Sequence, residues 1–186
     1  MTQGLGKSFT RNCGSCYVCC VTTGINELKK HSGQTCKHLS GASGPEKRCS
    51  IYSSRPSACS NYVCAWIAGL GPENSQPNLS GVLCTLYSSN HPEIPQSATL
   101  HVHDKTKSGP WQGPGHLFDL LKQLMEIGCD NDIRIVFQET KQVIYFLNGV
   151  IRQGKLLPQE KYEDLNFQLH DPPLGHYEIR HEEKTT

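Results

Sequence analysis

The sequence predicts an α+β protein in which an irregular cysteine-rich metal-binding module precedes a small α+β unit with a mostly antiparallel sheet. Three observations lead to this fold class. Cysteines are concentrated near the N-terminus, one long helical stripe of apolar residues lies in the second half, and several short segments around that stripe alternate apolar with polar residues. Alternation is typical of half-buried strands, whereas a spacing of about three to four residues is typical of a helix that covers a core.

Residues 1–69 are expected to form the metal-binding module. Eight of the ten cysteines lie within 52 residues, and they open as Cys13-x-x-Cys16-x-x-Cys19-Cys20. The gaps between them are rich in Gly, Ser, Thr and Asn and show little apolar periodicity, so the segment could hardly fold through burial alone. In small metal sites the free energy of metal binding becomes folding free energy.

Within this module, a helix is predicted to begin near Pro56, because Pro is favourable at a first helical position and apolar residues recur near a helical period after it. Gly69 suits the C-terminal cap of such a helix. Cys59 and Cys64 are five residues apart, and an unbroken helix would point them about 140° apart. Either the helix breaks between them, or they serve different sites.

Residues 70–157 are expected to form the small α+β unit, packed on the module. Pro and Gly indicate loops up to residue 97, with one short strand at Val82–Leu86, and alternation predicts strands around residues 98–102 and 133–137. The apolar stripe from Leu117 to Ile127 predicts the helix. Asn148-Gly149 between two apolar segments is the strongest short hairpin signal. Residues 158–186 are polar and are expected to form a C-terminal tail that wraps the surface or frays.

The protein is expected to be cytoplasmic. Its first residues hold no apolar run of the roughly 7–15 residues found in signal peptides, and no stretch approaches the roughly 18 consecutive apolar residues of a membrane span. Cytosolic thiols are kept reduced, and stable disulfides are rare there. The clustered cysteines are therefore interpreted as metal ligands, with disulfide staples and isolated reactive thiols as the alternatives.

Charge and motifs exclude several other functions. The formal net charge is +1 and the Lys and Arg residues are scattered, which gives no reason to expect nucleic-acid binding. No recognised catalytic motif is present, so a binding protein is expected rather than an enzyme. The expected partners are a metal ion and, for an iron–sulfur reaction, a protein partner, with no nucleic acid and no membrane.

Soft thiolate sulfurs suit zinc or an iron–sulfur cluster. A knuckle turn at Gly14 would let Cys13 and Cys16 bind one ion side by side, whereas a helix would place both of them on one face with Cys20. In either geometry Cys19 and Cys20 are not expected to be equivalent, and they could serve two neighbouring sites. Eight thiolates could fill two four-cysteine sites, or one cluster with spare ligands.

The order of these residues resembles a known family. The opening motif is followed by Cys36 with His38-Leu39, Cys49-Ser50-Ile51-Tyr52, Arg55-Pro56-x-x-Cys59 and Cys64-Ala65-Trp66. This order, over about residues 13–66, is similar to the CxxCxxCC family, the YkgJ-type cysteine cluster proteins described as zinc- or iron-chelating. The flagellin lysine N-methylases carry a similar block, and there the resemblance implies an iron–sulfur cluster. By position, the resemblance implies as metal ligands Cys13, Cys16, Cys19, Cys20, Cys36, Cys49, Cys59 and Cys64.

Other candidate residues are given structural roles. His38 could be a ligand or could support one, but eight cysteines are available without it. His101 and His103 would share one face of a strand, and a packed or solvated pair is expected because no third ligand is evident. Cys84 and Cys129 fall outside the family pattern and are expected to be small buried residues.

Three residues of the module are expected to surround the site without binding metal. Arg55 would balance the charge of nearby thiolates. Tyr52 and Trp66 would pack around the site and exclude water, which tunes a metal centre.

Overall fold

The fold is built around one six-stranded sheet whose strands lie side by side in the order of the sequence, from β3 to β8. The computed structural model describes residues 11–41, 48–88, 96–129, 132–147, 149–156 and 167–176. The strands are β1 (Leu39–Ser40), β2 (Arg48–Cys49), β3 (Val82–Ser88), β4 (Gln96–Val102), β5 (Asp132–Phe137), β6 (Gln142–Leu147), β7 (Val150–Leu156) and β8 (Phe167–His176). The helices are α1 (Val18–Thr22), α2 (Ser57–Ser60), α3 (Pro77–Ser80), α4 (Lys105–Ser108) and α5 (His116–Glu126).

Helix α5 lies in the crossover between the only parallel pair of neighbouring strands in this sheet, β4 and β5. The other neighbouring strands of the sheet are antiparallel. Parallel strands need a connection of about a dozen residues or more, and a helix commonly fills it. Leu117, Leu121 and Leu124 are buried on one side of α5 at helical spacing, so this helix covers one face of the sheet.

The main core lies between α5 and that face of the sheet. Alternate strand residues such as Leu100 in β4, Ile135 in β5 and Phe146 in β6 belong to it, as the period of two in a strand requires. Cys84 and Cys129 are buried in the same core, at 3% and 0% exposure. This confirms that both residues are small buried side chains.

The cysteine-rich segment packs on the opposite face, at the β3 edge of the sheet. Leu83 points away from the main core and forms a second apolar cluster with Val18 and Cys64. The Tyr62 and Thr85 hydroxyls hydrogen-bond at 2.7 Å. The segment itself contributes only the short pair β1 and β2, joined in antiparallel register. Its position therefore depends on the sheet and not on a core of its own.

The α+β class and the mostly antiparallel sheet are confirmed. The predicted strand at Val82–Leu86 is β3, which continues to Ser88, and the predicted apolar helix is α5. The two strands predicted on either side of Asn148-Gly149 are β6 and β7, although Asn148 itself lies outside the described residues. In the described part of the chain, no helix is long and apolar enough to cross a membrane.

Two expectations about element bounds differ from the structure. The helix expected to run from Pro56 to Gly69 is wrong, since α2 ends at Ser60. The chain leaves the helix because Ala65 donates its N–H to the Cys84 carbonyl at 2.9 Å, which joins it to the edge of β3. Part of the predicted polar tail forms strand β8 on β7, while residues 158–166 and 177–186 lie outside the described part.

We predict that Gly81→Ala destabilises the protein more than Gly128→Ala. Both glycines have left-handed backbones, with φ of +73° and +81°, which costs about 1–2 kcal/mol for other residues. A Cβ at Gly81 would lie 2.4 Å from the carbonyl oxygen of Asp104, whereas a Cβ at Gly128 meets nothing within 4 Å. Crowding against this oxygen should add about 1–3 kcal/mol to the loss of stability of the Gly81 variant only. Equal denaturation midpoints for the two variants would contradict this.

Candidate metal centre

Seven of the eight predicted ligands line one cavity of about 100 Å³. The eighth, Cys64, is buried next to it, in the apolar cluster against which Cys16 and Cys19 pack. No disulfide bond joins the ten cysteines, all of which lie among the described residues. The cysteines that line the cavity are Cys13, Cys16, Cys19, Cys20, Cys36, Cys49 and Cys59.

Cys13 and Cys16 lie on a tight turn. The Cys16 N–H donates to the Cys13 carbonyl at 2.8 Å, and Gly14 between them has a φ of +52°, a conformation that glycine adopts at little cost. The Gln76 side chain donates to the same carbonyl at 2.9 Å and ties the turn to the loop before α3. This geometry favours the knuckle turn over a helix that includes both cysteines.

Cys19 and Cys20 are neighbours on the short helix α1. Val18 and Thr22 are fully buried on one side of this helix, and the Thr22 hydroxyl donates to the Val18 carbonyl at 2.8 Å. Successive residues of a helix point about 100° apart. The buried side of α1 is fixed by Val18, and of the two cysteines only Cys19 packs on the apolar cluster that contains Val18.

Backbone hydrogen bonds bring Cys36 and Cys49 to the C-terminal side of α1. The Cys36 N–H donates to the Cys20 carbonyl at 2.8 Å, and the Leu39 N–H donates to the Cys36 carbonyl at 3.0 Å. Leu39 then pairs with Cys49 across the β1–β2 ladder. These bonds join Cys20, Cys36 and Cys49 through the main chain alone.

Cys59 and Cys64 lie on different local structures. Cys59 is in α2, and the Ser57 hydroxyl of that helix donates to the Glu27 carboxylate at 2.9 Å. Cys64 follows the end of α2 and is 8% exposed beside Leu83. The helix thus breaks between the two cysteines, which was one of the two alternatives that the sequence left open.

The thiols surround the cavity without closing into a coordination sphere. Among the described residues, no group of three or more His, Cys, Asp or Glu side chains is arranged to hold a metal ion. The donor chemistry nevertheless fits zinc or iron, since soft sulfur ligands from several segments meet at one cavity. A cysteine sulfur moves by several ångströms when its single χ1 bond changes rotamer, so binding an ion needs side-chain rotation.

Burial raises the pKa of most of these thiols. It raises the pKa of Cys16 to about 11 and also raises the pKa values of Cys13, Cys59 and Cys64. The pKa values of Cys19 and Cys20 on α1 shift in opposite directions. The Cys19 thiol donates a hydrogen bond to Cys20, which raises the pKa of Cys19 and lowers that of Cys20.

Cations lie beside the thiols. Lys30 is only 6% exposed, lines the cavity and donates from its ammonium to the Thr23 carbonyl. Arg55 also lines the cavity, and its guanidinium stacks 3.7 Å from the centre of the Tyr52 ring. Residues 11–67 carry seven Lys and Arg residues against two Glu residues. This excess offsets the negative charge that thiolates would bring to the cavity.

The sequence did not single out Lys30 or the apolar wall of the cavity. Ile25, Leu28 and Ile51 line it together with the sulfurs, and they limit the access of water. Lys30 follows Lys29, and such a doublet is usually a solvated surface feature. Only the fold shows that one lysine of the doublet is buried.

The remaining candidates lie elsewhere. The main-chain carbonyl of His38 accepts the Ser50 N–H at 2.8 Å, but His38 does not line the cavity. His101 lies 2.8 Å from the Gln138 amide nitrogen, and burial lowers its pKa to about 4. His103 packs edge-on against Tyr17. His101 is thus a packed residue of β4, whereas His103 lies just after the end of that strand.

The chain has no match among known proteins in three comparisons. No model of a protein family, no curated protein and no solved structure matches it. The resemblance to the CxxCxxCC family rests on the order and spacing of the cysteines, and it stays a prediction.

We predict that Cys20 reacts with iodoacetamide at lower pH than Cys16 in the reduced, metal-free protein. The thiolate is the nucleophile, and the hydrogen bond from Cys19 favours the thiolate of Cys20, whereas burial disfavours that of Cys16. The Cys16 rate should rise about tenfold per pH unit from pH 7 to 9, below its pKa, and the Cys20 rate should level off. Mass spectrometry of digested samples measures both rates, and superimposable pH profiles would refute the assignment.

Proposed function

We propose that this protein is a cytoplasmic metal-binding protein that holds zinc or iron through cysteine thiolates, as a structural or a chelating and transfer site. The observation that carries the proposal is the single cavity lined by seven cysteines, with Cys64 buried against it. These residues come from five separate local structures. Bringing so many thiols together serves no purpose in packing, where one or two cysteines act as small apolar side chains.

The surroundings of the sulfurs support the same function. Apolar side chains form part of the cavity wall, and Lys30 and Arg55 supply positive charge beside groups that become anionic when they bind a metal. Thiolate metal sites need reduced cysteines, and the cytoplasm keeps thiols reduced, so a cytoplasmic location is part of this proposal.

A second candidate function is an iron–sulfur cluster that serves a protein-modification or redox reaction with a partner enzyme. One observation favours it, because seven cysteines line a single cavity, which is more than one cluster needs. Iron–sulfur clusters are held by cysteine thiolates, commonly four of them.

Anaerobic purification, metal analysis and an absorption spectrum test both candidates. We expect zinc or iron in at least a stoichiometric amount, and visible absorption separates a cluster from colourless zinc. Cys16→Ser should lower the metal content, whereas Cys84→Ser, the matched control in the main core, should keep it and lose only about 1 kcal/mol of stability. A metal-free native protein, or equal losses of metal in the two variants, would overturn the proposal.

Removing the metal should lower the free energy of local unfolding in the cysteine-rich segment more than in the sheet. Its described residues 11–41 and 48–67 contribute few fully buried apolar side chains, whereas Leu117, Leu124 and Ile135 are fully buried in the main core. Hydrogen exchange before and after treatment with a chelator measures this difference. The proposal predicts a loss of protection in residues 13–66 only, and unchanged protection there after complete metal loss would contradict it.

A further inference from the structure

We propose that the eight cysteines form two adjacent four-thiolate sites, one made of Cys13, Cys16, Cys19 and Cys64 and the other of Cys20, Cys36, Cys49 and Cys59. This inference rests on the proposed function and adds the division of the ligands. The sequence left that division open, since eight thiolates also suit one cluster with spare ligands.

Helix α1 divides the two sets. Its buried side is fixed by Val18, which packs on Leu83 of β3. Adjacent helical residues point about 100° apart, so the side chains of Cys19 and Cys20 leave α1 toward different neighbours. Cys19 packs on the apolar cluster with Val18, whereas the Cys20 carbonyl accepts the Cys36 N–H.

The first set gathers next to strand β3. Cys16 and Cys19 pack against the apolar cluster that contains Cys64, so three sulfur-bearing side chains share one patch of the sheet. Cys13 joins them through its tight turn with Cys16.

The second set gathers on the other side of α1. Main-chain hydrogen bonds and strand pairing join Cys20, Cys36 and Cys49. Cys59 is the remaining member, because it lines the cavity together with those three, whereas Cys64 lies in the apolar cluster of the first set.

The two sites would be close to each other, because Cys19 and Cys20 are consecutive residues of α1. A divalent ion bound to four thiolates has a net charge of −2, so two such sites repel each other. Lys30 lies where it can reduce this repulsion, because it lines the same cavity as Cys19 of the first set and Cys20, Cys36 and Cys59 of the second.

Titration of reduced, metal-free, full-length protein with Co²⁺ under anaerobic conditions tests the division. Sulfur-to-cobalt charge-transfer absorption reports each thiolate site. We expect two ions for the wild type and one ion for either same-set variant, Cys16→Ser/Cys64→Ser or Cys36→Ser/Cys49→Ser. The cross-set variant Cys16→Ser/Cys36→Ser should retain no site with wild-type affinity. Cys84→Ser/Cys129→Ser removes as many cysteines and should bind two ions.

The outcomes separate this inference from the proposed function. Wild-type protein that binds no Co²⁺ would overturn the proposed function and with it the two sites. Wild-type protein that binds one ion, or a cross-set variant that keeps one intact site, would overturn the division only. Cadmium NMR of the wild type needs no variant to fold and should show two resonances in the range of four-sulfur coordination, where a single resonance would again overturn it.

Discussion

The attachment of the cysteine-rich segment to strand β3 determines where the cavity lies. Ala65 donates its main-chain N–H to Cys84 at the edge of that strand, and Val18 and Cys64 pack on Leu83 beside it. Strand residues alternate between faces, so Cys84 belongs to the main core while Leu83 belongs to the cysteine-rich segment. One strand therefore holds both halves of the molecule, and the segment uses the sheet as the rigid surface that its own composition does not provide.

A second constraint is electrostatic. Thiols that lie close together in a partly buried cavity lose their protons with difficulty, because desolvation and mutual repulsion both disfavour the thiolates. In thiolate metal sites, a bound ion reverses this by stabilising the deprotonated ligands. In this cavity, the positive charges of Lys30 and Arg55 act in that direction on Cys20. The buried lysine thus has an electrostatic role, although its own burial lowers its pKa.

Much of the sheet could be predicted from the sequence because its local signals agree with one another. The apolar stripe of α5, the alternation in β4 and β5 and the turn before Gly149 each indicate the element that forms. The helix predicted after Pro56 ends early, at Ser60, for a physical reason. Its apolar residues do recur near a helical period, but Tyr62 and Ala65 bond to β3 instead, and tertiary contacts of this kind override local propensity.

The candidate site, too, could be predicted from the sequence only in part. Spacing identified the eight cysteines as a group, and the structure places seven of them around one cavity with the eighth beside it. Spacing did not indicate how they divide, because that depends on the direction of α1 and on the hydrogen bond from Cys36 to Cys20. Strand β8 was missed because Pro172-Pro173 and the polar, charged residues of this region indicated a tail, and pairing with β7 defines the strand.

The dependence of the cysteine-rich segment on β3 also has a consequence for biosynthesis. The ribosome makes the chain from its N-terminus, so all eight clustered cysteines are synthesised before Leu83, the residue on which Val18 and Cys64 pack. At about 5–20 residues per second, the nascent segment waits on the order of seconds for its supporting strand. During that interval its thiols are exposed to the cell, because the sheet that supports the segment has not yet formed. Oxidants and competing metals then have their best access to them, so newly made chains are more vulnerable than folded ones.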